Sequence, residues 1–276
     1  MGGTDKRLKI VMLTTRLVED IWLVNKVADV CNIVGIVFPS GERYREYGVV
    51  HVLKNRIRRI GPLALADQAL LILYRLAFES RRDKKAAKDL FPSKPTDYIE
   101  RKGIDILEVE DINTSEVNDF IMSKSPELVV VSGAPLLKQT IINAVQGRII
   151  NMHPGIAPEY RGRYGCFWPI YNQEPKMVGA TVHFVDKGID TGAILLQRQV
   201  DYYTDDSLKI ITYKQHKIGG DLLVKCLQQY ESLAANAHYK ADCPSRNYTA
   251  PGLSHYLKGK RWLKRKYGAK KLISSS

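Results

Sequence analysis

LKIVMLTTRLVEDIWLVNKVADVCNIVGIVF, residues 8–38, contains two apolar runs of strand length, Leu8–Leu13 and Ile33–Phe38, with a helical stretch from Glu19 to Val30 between them. Short uninterrupted apolar runs read as strands buried on both faces, and a helix joining two of them is the crossover of a parallel sheet. No GxGxxG follows the first run and no GxxxxGK[ST] occurs anywhere. A dinucleotide oxidoreductase and a P-loop kinase are therefore disfavoured.

The rhythm continues downstream. Asp105–Val109 reads as a strand, Ser115–Ser123 as a helix and Leu128–Ser132 as a strand. Arg148–Met152 is a β-branched run ending in His153-Pro154, and Val178–Val185 is a further run ending in the Asp186-Lys187-Gly188 turn. From Asp206 a helix is expected, capped by Asp206 or Ser207 and running to about Tyr230. Its Leu208, Ile211, Gln215, Ile218, Leu222, Cys226 and Leu227 share one face, the pattern of a core helix. The expected fold is α/β, a Rossmann-like doubly wound and mostly parallel sheet.

Asn151-Met152-His153-Pro154 and the segment Gly179–Gly192, GATVHFVDKGIDTG, place an amide, an imidazole and a carboxylate on the ends of what read as neighbouring strands. In an open α/β sheet, ligands sit in the crevice outside the strand ends, so Asn151, His153 and Asp190 are expected to meet there. The three groups suit acyl transfer to an amine. Attack turns the acyl carbon tetrahedral and leaves charge on its oxygen, which the Asn151 N–H and a protonated His153 stabilise. Asp190, directly or through a water, takes the proton that the amine loses and keeps His153 charged. Each motif alone also fits a loop anchor or a turn; the pair together favours chemistry.

These residues carry a family resemblance. From Lys9 to about Tyr230 the chain resembles the formyltransferases that use 10-formyltetrahydrofolate, including those acting on glycinamide ribonucleotide, methionyl-tRNA and amino sugars, and the best part runs from Leu128 to Val200. The resemblance implies that Asn151, His153 and Asp190 are the catalytic trio, and it matches His183 to a histidine near that site, a position that a core strand histidine fits equally well. It also implies that the folate formyl donor lies against Ser132, Gly133, Ala134, Pro135, Leu136 and Leu137 on one side and Val185, Asp186, Lys187, Gly188 and Ile189 on the other. Backbone groups with apolar walls suit a flat heterocycle with a polar edge. Where the purine-forming members carry a longer loop rich in Met and Arg, this chain reads GAPLL. The segment EYRGRYGCFWPIYNQEP, residues 159–175, is closer to the amino-sugar and tRNA branches. Arg161 and Arg163 are then expected at acceptor phosphates, with Tyr164 and His183 beside the substrate, and Phe167 and Trp168 packed inward.

The 276 residues, 45% of them hydrophobic, suffice for one substantial core. Cys31, Cys166, Cys226 and Cys243 lie far apart, and none of the six histidines forms an HxxxH or HExxH pattern, so reduced thiols and no metal are expected. The N-terminal apolar run is too short for a signal peptide, and Lys6 stands where a myristoylation signal needs Ser or Thr, which favours a cytoplasmic protein. A net charge of +13 favours acidic partners: a nucleotide-sugar diphosphate, tRNA or an anionic surface.

Two segments depart from a minimal formyltransferase, which gives a catalytic domain of residues 1–235 with a helical insertion at 41–103, and a basic C-terminal extension at 236–276. The insertion centres on PLALADQALLILYRLAF, Pro62–Phe78, flanked by Arg56, Arg58, Arg59 and by Arg81, Arg82, Lys84, Lys85. With Asp67, Gln68 and Arg75 inside a short run it cannot span a bilayer. A packed surface helix is expected, with binding to an anionic membrane as the alternative. The tail, LKGKRWLKRKYGAKKLISSS, reads either as solvated and mobile or as an electrostatic binder of membrane or RNA. It is too short for the C-terminal barrel of the tRNA-directed members. The expected activity is formyl transfer to a primary amine of a phosphorylated small molecule, foremost a nucleotide-linked amino sugar. Methionyl-tRNA and glycinamide ribonucleotide are the alternative acceptors, a silent folate-fold protein docking on membrane or nucleic acid is the alternative of another class, and a homodimer is left open.

Overall fold

The structure, a computed structural model, describes residues 7–39, 57–92, 103–240 and 243–272. Part of the insertion, Arg56 included, lies outside the described residues. The first crossover is as the sequence predicts: β1 (Lys9–Leu13), α1 (Val18–Ala28) and β2 (Asn32–Pro39), with the two strands paired in parallel. After α2 (Pro62–Phe78) and α3 (Ser80–Leu90) come β3 (Asp105–Val109), α4 (Ser115–Lys124), β4 (Leu128–Ser132), α5 (Gln139–Ala144) and β5 (Ile149–His153). Then follow β6 (Tyr160–Gly162), α6 (Trp168–Tyr171), β7 (Gly179–Phe184), β8 (Ile194–Gln199), β9 (Tyr202–Tyr203) and α7 (Leu208–Gln228). The remainder is α8 (Tyr230–Ala235), β10 (Arg246–Tyr248), α9 (Leu253–Tyr267) and β11 (Lys271–Leu272).

Seven strands form one sheet in the order β3-β2-β1-β4-β5-β7-β8. The first five are parallel, and β7 and β8 are antiparallel to their neighbours. Every residue of β4 is buried, and the alternation of its side chains explains why. Leu128 and Val130 join Met12, Trp22 and Leu223 under α1 and α7, while Val129 and Val131 join Val117, Ile121 and Ile141 under α4 and α5. A strand covered on both faces needs an unbroken apolar run, and LVVV supplies it. The cap of α7 is Ser207, whose hydroxyl accepts the Ile210 N–H; Asp206 instead accepts the Tyr203 N–H and pairs with Lys214.

A third core lies apart from these layers, built from Leu71 of α2, Phe167, Ile170, Tyr202, Leu208 and, from the tail, Tyr256 and Leu263. Through residues 253–267 the tail is thus a helix packed by one face, with most of its basic residues exposed. Tyr256, Gly259 and Leu263 recur at helical spacing and land on one buried face, and Gly259 lies so close to Phe167 that a Cβ there would meet its ring at 3.0 Å. The insertion helix is held against this tail by polar contacts. Asp67 accepts the Ser254 N–H at 3.0 Å, Gln68 donates to the Ala250 carbonyl at 2.8 Å, and the Tyr256 hydroxyl donates to Glu79.

Candidate active site

Asn151 faces His183 across the β5–β7 pair, and His153 faces Thr181. Alternate residues of a strand share a face, so these four side chains point to one side while Ile150, Met152, Ala180 and Val182 enter the core on the other. The three groups do not all sit at strand ends as the sequence suggested. His153 ends β5, but Asn151 is its middle residue, and Asp190 arrives on the loop between β7 and β8. Because β7 runs against β5, this loop leaves beside Ile149, where the Val185 N–H donates to the Ile149 carbonyl, and returns along β5 to reach His153.

Several contacts set that return. Asp186 accepts the Gly188 N–H at 2.9 Å and the Thr191 hydroxyl at 2.6 Å, which closes a turn. Gly192 passes the Phe184 carbonyl with no room for a side chain, since a Cβ there would lie 1.7 Å from its oxygen. Asp190 adopts the left-handed region at φ 51°, which Asp tolerates better than most residues. Its Oδ2 accepts the Gly162 N–H at 2.8 Å, and the Arg161 guanidinium donates to the Ile189 carbonyl at 3.0 Å.

The Asp190 carboxylate lies 3.5 Å from His153 Nδ1, 3.6 Å from His183 Nε2 and 3.4 Å from the Asn151 amide nitrogen. Burial by itself raises the Asp190 carboxyl, but the neighbouring charge of His153, the His183 imidazole and the Gly162 N–H outweigh it and hold the group well below the usual carboxylate range. Asp190 is an anion at neutral pH. His183 Nδ1 lies 2.7 Å from the Phe184 carbonyl, which only accepts, so that nitrogen carries a proton, while Nε2 lies 3.3 Å from the Asn151 amide nitrogen and faces Asp190. Both nitrogens of His153 face acceptors, Asp190 at one side and the Tyr160 carbonyl at 3.2 Å at the other. Burial pushes the His153 imidazole below its ordinary value and the Asp190 carboxylate opposes that. A charged His153 therefore has both protons matched, and it depends on Asp190 to exist.

Of the residues expected at the donor, Ala134, Leu137 and Val185 pack against the same apolar cluster on one face of the sheet. The Ser132 side chain does not join them: it faces the opposite layer and donates to Asp20 at 3.0 Å. Gly133 needs φ 69° and has Asp20 against it, so a Cβ there would lie 2.8 Å from the carboxylate. Pro135 and Leu136 lie in the same loop, and the Leu136 carbonyl accepts from Asn113 at 3.1 Å. Lys187 is exposed. Of the residues expected at an acceptor, Arg161 is committed to the Asp190 loop, the Arg163 guanidinium stands 5.6 Å from the Tyr164 ring, and Tyr164 packs on the third core. Phe167 is fully buried, and Trp168 packs beside it.

Some structural residues of the site were not legible in the sequence. Thr181 donates to the Gly155 carbonyl at 2.7 Å and accepts the Ala157 N–H at 3.1 Å, which fixes the loop after His153. Gln197 donates to both Thr181 and the Ala157 carbonyl. Asp20, at the start of α1, accepts from Thr15 and Ser132, and burial pushes its carboxyl up to about 7. Their strand and helix positions carry no motif. Among the described residues, no group of three or more His, Cys, Asp or Glu is arranged to hold a metal ion.

Comparison with known proteins gives matches in sequence and in fold. The chain is 34% identical over 114 residues to the methionyl-tRNA formyltransferase of Thermosynechococcus vestitus, 41% of this chain and 34% of that protein. It is 34% identical over 93 residues to the phosphoribosylglycinamide formyltransferase of Bacillus subtilis, 33% of this chain and 47% of that protein. The matched stretch thus spans between about a third and about a half of the length of these curated relatives. In fold, a sugar N-formyltransferase from a Shewanella species aligns with a TM-score of 0.55 at 18% identity, covering 98% of this chain and 97% of the other. The family described as formyl transferase matches residues 77–227, more than half of the chain and a span that contains Asn151, His153, His183 and Asp190; the protein belongs to that family.

Proposed function

We propose that the protein transfers a formyl group from 10-formyltetrahydrofolate to a primary amine, and that the amine belongs to a nucleotide-linked amino sugar. One observation carries the reading: the ionised Asp190 carboxylate, carried in by a separate loop, lies 3.4 Å from the Asn151 amide nitrogen, 3.5 Å from the His153 imidazole and 3.6 Å from that of His183. The amine nitrogen attacks the formyl carbon, forming the new C–N bond and leaving negative charge on the formyl oxygen. The Asn151 amide and the His153 Nε2–H, which the Tyr160 carbonyl holds in the free site, turn to that oxyanion as it forms, since donors aimed at developing charge in a water-poor site give the largest catalytic effect. The proton that the attacking amine loses passes by way of Asp190, directly or through one water, to the folate nitrogen, which leaves carrying it as its bond to the formyl carbon breaks and the C=O bond re-forms. Their separations exceed ideal hydrogen-bond lengths, as is usual before substrate tightens a site.

The 132–137 and 185–189 segments form the donor side, residues 1–235 the catalytic domain, and 236–276 an extension packed on it. The sugar acceptor is favoured by a fold likeness to a sugar N-formyltransferase that runs the length of both chains. The test is incubation of the full chain with 10-formyltetrahydrofolate and a panel of amines: nucleotide-linked amino sugars, methionyl-tRNA and glycinamide ribonucleotide. A product heavier by one formyl group on a nucleotide sugar is expected. Formylation of methionyl-tRNA alone refutes the acceptor, and an unconsumed donor with every amine refutes the activity.

A further inference from the structure

Helix α2 is inside out. Its polar residues Asp67, Gln68, Tyr74 and Arg75 are all half-buried against the tail and α3, and every exposed residue from Pro62 to Phe78 is apolar. Leu63, Leu70, Ile72, Leu73, Leu76 and Phe78 stand more than half exposed, Leu63 at 85% and Phe78 at 72%, and Leu71 alone is buried. A stripe of this kind along a helix about 25 Å long exceeds the apolar surface that a solitary folded domain usually leaves open. The inward contacts account for the orientation. Asp67 is bonded to Ser254, Gln68 to Ala250 and Arg75 lies 3.6 Å from the buried Asp83, so the helix cannot roll over without breaking them.

The charges on either side say what covers this face. Arg58 and Arg59 immediately precede α2, and Arg81, Arg82, Lys84, Lys85 and Lys88 follow it, all exposed, against two exposed acids, Asp89 in the same segment and Asp205, which pairs with Arg82. A second copy docking helix to helix would bring basic clusters together whether the helices ran parallel or antiparallel, which Coulomb repulsion opposes. An anionic lipid surface accepts both features, the apolar stripe entering the acyl boundary and the flanking cations meeting headgroups. No helix among the described residues is long and apolar enough to cross a membrane, so the contact lies in the plane of the surface. We infer that α2 and its flanking basic residues form a docking face for anionic membrane.

The test is co-sedimentation of the full chain with phosphatidylcholine vesicles, with and without phosphatidylglycerol. Binding is expected only with the anionic lipid, and is expected to weaken as salt is added. The double variant Leu73→Glu, Leu76→Glu should lower partitioning at least about tenfold, and Arg81→Gln, Lys84→Gln, Lys85→Gln by roughly 100-fold, since each basic residue near such a surface contributes about fivefold. These side chains are exposed, so melting temperatures should stay near wild type. The salt response of the unmodified chain tests the charges without a variant. Absence of binding to anionic vesicles overturns the inference, as does binding unchanged by the Leu73, Leu76 variant. A lipid-free dimer that the same variant converts to monomer overturns it in favour of an interface between copies, and binding to RNA that competes with vesicles yet ignores Leu73 and Leu76 assigns the surface to nucleic acid.

Discussion

Helices α7 and α2 are both rich in apolar residues, and the chain uses them in opposite ways. Along α7, Leu222, Leu223, Cys226 and Leu227 are buried against the sheet and Leu208 and Ile211 in the third core, so burial of hydrocarbon orients the helix and hydrogen bonds add detail. Along α2, only Leu71 is buried, and the orientation comes from Asp67, Gln68 and Arg75 gripping the tail and α3. Apolar content therefore does not by itself reveal which way a helix faces. A few well-placed hydrogen bonds, each worth about 1 kcal/mol and more when charged, set the direction where little core is available.

The largest contrast to test is deletion of the tail against mutation within the site. Removing residues 253–276 uncovers Leu71 and Phe167 and discards Tyr256 and Leu263, side chains worth about 1.5–3 kcal/mol each when buried. Soluble yield is expected to collapse. A truncated chain that unfolds at the wild-type urea midpoint refutes the third core. Within the sheet half, Leu223→Ala should cost about 2–5 kcal/mol in chemical denaturation, whereas Leu73→Ala on the outer face of α2 should change stability by less than about 0.5 kcal/mol. Equal losses at the two positions would mean that α2 is covered in the free protein.

At the site itself, Asn151→Ala and His153→Ala should each lower turnover about 10²- to 10³-fold, the usual effect of losing one oxyanion donor, with little change in folding for Asn151→Ala. Asp190→Asn should do similar damage and also move the pH profile. Asp190 opposes the burial of charged His153, so its neutralisation lets burial prevail and the limb where His153 loses its proton shifts to lower pH. An unmoved profile would give Asp190 a purely structural role through Gly162.

A smaller effect is expected at Asp20. Its carboxyl rises to about 7 in the folded state from an unfolded value of about 3.9, so between those values the folded chain binds more protons and stability falls as pH rises. Asp20→Asn removes that decline. It should unfold at higher denaturant than wild type at pH 8, by on the order of 2 kcal/mol, and the gap should close by pH 4. A constant gap would mean that Asp20 keeps its ordinary acidity. Smaller than that, Asp67→Ala should cost about 1 kcal/mol by loosening α2 from Ser254.

The sequence alone determined the strands of the sheet and singled out the three groups proposed to react. Leu8–Phe38, LVVVS and the stripe on α7 were legible because burial on two faces demands unbroken apolar runs in strands and a 3.6-residue period in helices, patterns that no other fold component produces at that length. Asn151, His153 and Asp190 were legible because their types and order matched a known chemistry. Tertiary structure alone decided that β7 turns antiparallel to β5, which sends Asp190 on a return path held by Asp186, Gly162 and Gly192, and that both His153 nitrogens meet acceptors. It also decided that α2 faces its hydrocarbon outward and that the basic tail is a packed helix. Those outcomes rest on partners more than a hundred residues apart, such as Asp67 with Ser254 and Glu79 with Tyr256, and a local pattern carries no record of contacts at that separation.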